Sequence, residues 1–416
     1  MSGSGPGIGE AIVVLNAGPS SLKFSIYRIR DEDLVLAARG RVEGLDATPR
    51  FKATDKRGGM LADVDLNKTA ARAGHSEAFD YLAHWVNEQF AGALSAVAVG
   101  HRVMHGGSEF AGPTLLDDEV IDRLERLIPL APLHQPHNLG MVKAVRKLRP
   151  DLPQVACFDT AFHRGRLPVT ERFGLSNELH DAGVRRWGFH GLSYESVVDQ
   201  LREIAPDVAS GRVIVAHLGS SASACGIRDG HSFDTTMSFS TLDGLPMGTK
   251  CGRLDPGAVL YMMKSRTREE VERTLYEESG MLGLSGVSSD LRALLESDSP
   301  RAAEAVSFFI YRTVREIGSL AAAIKGLDAL VFTGTIGETS PVIRQRVCRE
   351  LDWLGVALES SANEIGRGCI SPAGRSPSVW VIPTDEERVI AAGTFAAVRS
   401  DDPETHRSSA FASGIH

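Results

Sequence analysis

Two polar turns, each set between apolar β-like runs, carry the residue types that hold phosphate. Ile12 to Leu15 lead into Asn16-Ala17-Gly18-Pro19-Ser20-Ser21-Leu22-Lys23, and Phe24 to Ile26 continue beyond. Val213 to Ala216 lead into His217-Leu218-Gly219-Ser220-Ser221, and Ala222 to Ile227 follow. With Gly18 set on Gly219, the two halves echo each other. A turn between strands that offers backbone N–H groups and hydroxyls can cradle a phosphate. Two such turns point to a duplicated fold gripping a phosphate chain from both sides. Gly and Ser favour turns of every kind, so taken alone the echo fits two ordinary hairpins better. Neither turn has the Gly-Lys-Ser/Thr order of a Walker loop, and Gly334-x-x-Gly337 does not match the dinucleotide fingerprint. Phosphates would then be held by hairpin turns and one helix start.

The other chemically capable residues are ambiguous one at a time. Arg102 alone reads as a surface salt bridge, Asp159 as a helix cap, and His190 as a hydrogen-bonded structural histidine. Met104, Leu133 and Phe189 read as core. His101/His105 and His134/His137 resemble metal spacings, but no Cys or third ligand is near, so a structural role is preferred.

The elements that must position these residues mix strands and helices throughout, an α/β pattern. Residues 11–29 predict a β-hairpin, and Leu34 to Arg50 more strand and turn. Asp117 to Ile128 has Val120, Leu124 and Leu127 at helical spacing behind Asp117 and Asp118. Leu139 to Leu148 predicts a short helix, and Gln154 to Phe158 a buried strand ending at Asp159. A longer helix spans about Arg301 to Ile324, with Val306, Ile310, Thr313, Ile317 and Leu320 on one face. Leu327 to Thr333 predicts a strand that runs into a Gly-rich loop, Gly334-Thr335-Ile336-Gly337-Glu338. Thr339 or Ser340 then caps a helix with Pro341 at its first position. A helix start beside that loop supplies partial positive charge.

The chain has 416 residues, enough for two or three domains with a sizeable core. Its net charge of −8 argues against a broad nucleic-acid or anionic-membrane surface. Five scattered cysteines without a CxxC motif fit a reducing cytoplasm. No run is long and apolar enough to span a bilayer. Residues 1–10 read as a flexible leader, not a signal peptide. Residues 401–416 read as a polar tail.

Taken jointly, the motifs resemble the acetate kinase (acetate/propionate kinase) family of the sugar kinase/Hsp70/actin superfamily. Leu15-Asn16-Ala17-Gly18-x-Ser20-Ser21-Leu22-Lys23-Phe24 is similar to the family's first signature, and Gly188-Phe189-His190-Gly191-x-Ser193 to its second. Others follow in family order: His101 to Gly107, Ala131 to His134, Phe158 to His163, Met247-Gly248-Thr249, Ser288 to Arg292, and Ile382-Pro383-Thr384-x-Glu386-Glu387. The likeness covers roughly residues 11–400. It implies a duplicated actin-like (ribonuclease H-like) fold with an interdomain active-site cleft, closing around ATP. The implied domains are 11–160 with 387–400, and 161–386.

The resemblance also implies function and roles. It implies a cytoplasmic homodimer that moves a phosphoryl group between ATP and acetate or propionate, with Mg²⁺ or Mn²⁺. Arg102 would bind the substrate carboxylate or the transferring phosphate, and His190 and Lys250 would stabilise the phosphoryl group in flight. Asp159 would organise the metal through water, with Glu386 and Asn16. Asn16, Ser21 and Lys23 would handle phosphate at the first turn, and His217, Leu218, Gly219, Ser220 and Ser221 at the second. Asp290, Leu291 and Arg292, with Thr335, Ile336, Gly337, Glu338 and Thr339, would line the nucleotide site. Met104, Leu133, Phe189 and Thr241 would form the pocket for the alkyl end.

This sequence departs from the family pattern at several of those places. Pro19 stands where Ser is usual and removes an N–H donor. Ser220-Ser221 replaces Asn-Gly, a pair suited to positive φ. Lys250 replaces Arg and lacks its bidentate fork. Cys251 and Arg253 replace Ser and Asp, and Arg253 adds a compensating charge nearby. Thr335 replaces a glycine where backbone approaches adenosine, Tyr194 a histidine, and Asp385 an asparagine. These changes leave two alternatives beside an ATP-dependent kinase: a diphosphate-dependent carboxylate kinase, and a catalytically impaired binding or regulatory relative.

Overall fold

The computed structural model describes residues 8–18, 20–45, 48–66, 75–90 and 92–400. The first apolar run lies inside strand β1 (Gly9–Ala17), and its polar turn leads into β2 (Ser21–Arg30). The two pair antiparallel, with Asn16 opposite Lys23 and Ala17 opposite Leu22. Strands β3 (Asp33–Glu43), β4 (Arg50–Asp55) and β5 (Met60–Asp65) continue the meander. Strands β6 (Leu94–Val103), β7 (Thr114–Leu115) and β8 (Gln154–Phe158) complete a sheet ordered β5-β4-β3-β2-β1-β6-β8-β7. β6 runs parallel to β1 and β8 parallel to β6. Gly9 and Glu10 pair with Leu94 and Ser95, so the leader expected over residues 1–10 does not extend to them. Its residues 1–7, the tail 401–416 and Pro19 lie outside the described residues.

Phe24, Phe51 and Trp85 anchor one face of this sheet, with ring centroids 5.4 and 5.1 Å apart. Asp117 caps the helix Asp118–Glu125 by accepting from the Val120 N–H at 2.7 Å. That helix ends three residues short of Ile128, and a separate 3-10 turn, Ile128–Leu130, follows with Pro129 in its first turn. The next helix, Gln135–Leu148, starts four residues earlier than its apolar spacing suggests, because Pro136 suits a first turn. The last helix, Glu386–Ser400, lies so close to β6 that only glycine fits at position 100. A Cβ there would stand 2.2 Å from Thr394 Oγ1 and 2.7 Å from Ile390 Cγ2.

A second sheet is built from β9 (Arg212–Leu218), β10 (Ala222–Arg228), β11 (His231–Thr235), β12 (Ala329–Thr333), β13 (Gly368–Cys369) and β14 (Ser378–Val381). Its order is β11-β10-β9-β12-β14-β13. The helix Gly191–Ile204 buries Tyr194, Val197, Val198 and Leu201 against Val213, Val215, Cys225 and Ile227. Gly226, one step along β10 and so on the opposite face, lies under Leu320 and Ile324 at the end of the helix Pro300–Ala323. Ser340, not Thr339, caps the helix Pro341–Arg349.

Each sheet thus contains the same five-strand plan, three antiparallel strands then two parallel ones: β3-β2-β1-β6-β8 and β11-β10-β9-β12-β14. The hairpins differ in length. Four residues separate the paired Ala17 and Leu22, and three separate Leu218 and Ala222. The echo of Gly18 on Gly219 therefore holds for the incoming strands and slips by one residue beyond the turns.

The chain divides into two compact units: residues up to Ala161 with those from Glu386 onward, and Phe162–Asp385. Glu386, placed by sequence at the end of the second domain, instead opens the last helix and belongs to the first unit.

Candidate active site

In the first unit, Asn16, Arg102 and Asp159 stand at the carboxyl ends of three neighbouring parallel strands. Leu15 pairs with His101 and Val103 with Phe158, so the three residues come to one level. The carboxyl edge of such a sheet is where α/β folds place ligands. Arg102 Nε and Nη2 donate to the two Asp159 oxygens at 2.9 and 2.5 Å, and Nη1 donates to Asn16 Oδ1 at 3.3 Å. The Arg102 side chain is 19% exposed and that of Asp159 1%. Neither the surface salt bridge nor the helix cap read for these residues singly is present. They form a bidentate, mostly buried pair, a geometry with strong, directional hydrogen bonds. Burial opposes the Arg102 charge, but Asp159 outweighs it and holds the guanidinium above its ordinary pKa.

Burial pushes the Glu386 carboxyl up to about 7; Asp159 and Glu387 add to the rise, while Arg102 and Lys23 oppose it. Three acids thus face two cations around Asn16. Carboxylates and an amide oxygen are hard donors of the kind Mg²⁺ takes, and a divalent cation would relieve their mutual repulsion. Among the described residues no three His, Cys, Asp or Glu converge at ligand distance. That donor set fits an ion that keeps much of its water shell. Lys23 and Glu387 also border a cavity of about 470 Å³ lined by Arg39, Arg41 and Lys52, which makes its mouth attractive to anions.

Met104 follows β6 and is buried, its N–H donating to Asn138 Oδ1 at 3.0 Å; Asn138 Nδ2 donates to the Ala17 carbonyl at 2.7 Å. One amide thereby ties the Met104 loop to the first turn. Leu133 is 41% exposed, unlike a core leucine. His101 and His105 are engaged locally: His101 Nε2 meets Gln154 Oε1 at 2.8 Å, and His105 Nδ1 accepts from the Gly107 N–H at 2.8 Å.

In the second unit, His190 adopts φ +58° immediately before the helix Gly191–Ile204. A non-glycine residue in the left-handed region costs conformational energy, which the surroundings must hold in place. They do so with fixed contacts. His163 Nε2 donates to the Phe189 carbonyl at 2.9 Å, and Arg166 Nη2 donates to the Arg186 and Trp187 carbonyls at 2.6 and 3.0 Å. Burial drives the His163 pKa down to about 3, so it serves as a neutral strut. His190 Nδ1 lies 2.8 Å from Ser223 Oγ. Its ring stacks on His217 at 4.4 Å between centroids, and His217 Nδ1 lies 2.8 Å from Ser193 Oγ. The antiparallel register explains the arrangement: His217 and Ser223 are directly opposite each other across the second hairpin.

Gly219, Ser220 and Ser221 form that hairpin's turn without positive φ at either serine, so the strain anticipated from replacing Asn-Gly is absent. The Ser220 carbonyl accepts from the Gly248 N–H at 3.2 Å, and Ser221 Oγ lies 3.6 Å from Met247 Sδ. Gly334 to Thr339, read as a Gly-rich loop, is a short helix whose first residue takes φ +76°. A Cβ built on Gly219 would lie 3.9 Å from the Thr335 nitrogen, so the second turn and this helix start adjoin. Thr335 and Thr339 are exposed, whereas Gly337 is buried. Glu338 Oε1 accepts from the N–H groups of Gly334 and Thr384 at 2.9 and 3.2 Å, which commits that carboxylate oxygen to its own fold. Asp290 caps a short helix, accepting from the Arg292 N–H at 2.9 Å, and Arg292 is exposed. Leu218 and Leu291 bury their side chains in the core, leaving only backbone to meet a ligand.

Lys250 Nζ donates to Thr241 Oγ1 at 3.1 Å and lies 5.9 Å from the Tyr276 ring centroid. Burial lowers its pKa to about 8. Phe189 and Thr241 are both buried. Arg253, expected to compensate for Lys250, is instead occupied by Glu316 at 3.6 Å. The residues missed by sequence reasoning are mostly supports: Ser223, Ser193, His163, Arg166 and Glu387. Ser193, His163 and Glu387 lie inside the quoted motifs, whereas Ser223 and Arg166 carried no signal.

A family model described as the acetokinase family matches residues 11–392. The acetate kinase of Rhodopseudomonas palustris is 50% identical over 390 residues, covering 92% of this chain and 97% of that protein. The acetate kinase of Porphyromonas gingivalis matches with a TM-score of 0.84 at 34% identity, covering 94% of this chain and 100% of that one. A propionate kinase from Francisella tularensis matches with a TM-score of 0.85 at 31% identity, over 92% and 99% of the two chains. The class is therefore the duplicated actin-like α/β fold, two units with one strand plan. Within it, the chain belongs to the acetokinase family.

Proposed function

We propose that this protein reversibly transfers the γ-phosphoryl group of ATP to a short-chain carboxylate, acetate or propionate, giving an acyl phosphate and ADP. The observation that carries this reading is the buried Arg102–Asp159 pair, joined by Asn16, Lys23 and Glu386 at the carboxyl edge of the first sheet. A carboxylate is already ionised at pH 7, so no general base is required to make the nucleophile. A carboxylate oxygen attacks the γ-phosphorus in line, the bond to the β-γ bridging oxygen breaks, and that oxygen leaves with the electron pair on ADP. No proton moves. The obstacle is repulsion between anions, and the remedy is fixed positive charge and positioning around a metaphosphate-like transition state.

The first unit supplies Lys23 and Arg102 for the anionic groups, and Met104 and Leu133 for the alkyl end. The second unit supplies His190 and Lys250 for the transferring group, with Phe189 and Thr241 beside the alkyl end. It also supplies the Gly219–Ser221 turn and the Thr335 helix start for the nucleotide, with Asp290 and Arg292. Asp159 and Glu386, with Asn16, would hold Mg²⁺ or Mn²⁺ largely through water; when bound, the ion neutralises phosphate charge. The protein is read as a homodimer of the reducing cytoplasm; its five cysteines are unbridged.

Hydroxylamine trapping of acyl phosphate tests the reading, with ATP and diphosphate compared as donors at equal Mg²⁺ and acetate. ATP-dependent product is expected. Product from diphosphate alone, or from neither donor, would overturn it.

A further inference from the structure

Tyr194 lies one helical turn after His190, and the Tyr194 N–H donates to the His190 carbonyl at 3.1 Å. Its side chain is 0% exposed, and its hydroxyl hydrogen-bonds Ser223 Oγ, itself 0% exposed. Ser223 Oγ is the partner of His190 Nδ1. A line of hydroxyls thus runs from Tyr194 through Ser223 to the imidazole.

From this line we infer that Tyr194 is a positioning residue for His190, acting through Ser223. The inference rests on the role given to His190 above. The line can run in two directions. In one, Tyr194 donates to Ser223 and Ser223 to Nδ1, which leaves the imidazole neutral with its proton on Nε2. In the other, Nδ1–H donates to Ser223 and Ser223 donates to Tyr194. Ser223 Oγ is paired on both sides in either direction, so the imidazole can gain or lose a proton at fixed orientation. The stack on His217 fixes the ring plane, and the hydroxyl line fixes its rotation.

A tyrosine that merely filled the core would act independently of His190. The two roles separate in a double-mutant cycle. Steady-state kinetics with ATP, acetate and Mg²⁺ would be measured for wild type, Tyr194→Phe, His190→Ala and the double variant. Losing one buried hydrogen bond in the transition state corresponds to about a 5- to 100-fold drop in kcat. Tyr194→Phe is expected to show that drop with KM within about twofold, and to cost nothing further in the His190→Ala background. An equal fold-loss in both backgrounds, or a wild-type kcat for Tyr194→Phe, would overturn the inference. Ser223→Ala, a smaller change on the same line, carries the same cycle if Tyr194→Phe does not fold. A His190→Ala variant with wild-type kcat would overturn the role of His190 itself, a result the cycle distinguishes from the failure of Tyr194 alone.

Discussion

At the scale of the residue, Lys250 is the most consequential departure from the family pattern. It is a single ammonium where a guanidinium fork is usual, held by Thr241 with its pKa lowered to about 8 by burial. Two consequences follow from the sign of that shift. Below pH 8 the charge proposed to stabilise the transferring group is present; above it the charge is lost. The kcat/KM of the free enzyme should therefore fall through an apparent pKa near 8. Arginine stays charged across that range, so Lys250→Arg should remove the alkaline limb and raise kcat by about tenfold through the second hydrogen bond. A pH–rate profile of the two proteins checks both. The same group affects folding in the opposite sense. Between pH 8 and 10.5 the unfolded chain holds the Lys250 proton more tightly than the folded one, so this residue's contribution to stability rises with pH. Urea titrations of wild type and Lys250→Gln across that range should show it.

Much of the site was legible at this scale because its residues sit in short motifs. Asn16, Lys23, Arg102 and Asp159, drawn from separate motifs, come together at one edge of the first sheet. What the motifs could not show is how each residue is held. The partner of Arg102 is Asp159, 57 residues away, and the partner of His190 is Ser223, 33 away. Such pairings depend on strand register, which no local pattern encodes.

At the scale of the element, the buried strand Gln154–Phe158 was read from sequence to the residue, because a short apolar run bounded by Pro and Asp has few alternatives. The helix at Gly334–Thr339 was read as a loop, since two glycines in six residues disfavour a helix. Glu338 reaches back to the Gly334 N–H and closes the turn, a tertiary rescue of poor propensity. The hairpin turn at Ser220-Ser221 looked strained, yet a loop of three residues instead of two needs no positive φ at either serine. The contact of the last helix with β6 gives the clearest prediction at this scale. Gly100→Ala would force a methyl onto Thr394 and Ile390, an overpacking that costs about 1–3 kcal/mol. Its thermal midpoint should fall by several degrees. An unchanged midpoint would mean that the helix does not seat as closely as described.

At the scale of the whole molecule, two units share one strand plan and carry different candidate groups. The first concentrates acids and cations around Asn16; the second offers imidazoles, a turn and a helix start. Chelating divalent metal should abolish phosphoryl transfer and leave the far-ultraviolet circular dichroism unchanged, because the described strands are held by their own backbone hydrogen bonds. Restoring Mg²⁺ should restore the rate. Loss of secondary structure on chelation would place the metal in the fold and not in the chemistry. The most direct test of the central claim uses one residue from each unit. Acyl phosphate formation from ATP and acetate should be measured for wild type, Arg102→Ala and His190→Ala. Both variants should fall by about 100-fold or more, since each removes a group proposed to stabilise the transition state. A wild-type rate in either variant would contradict the role proposed for that residue in phosphoryl transfer.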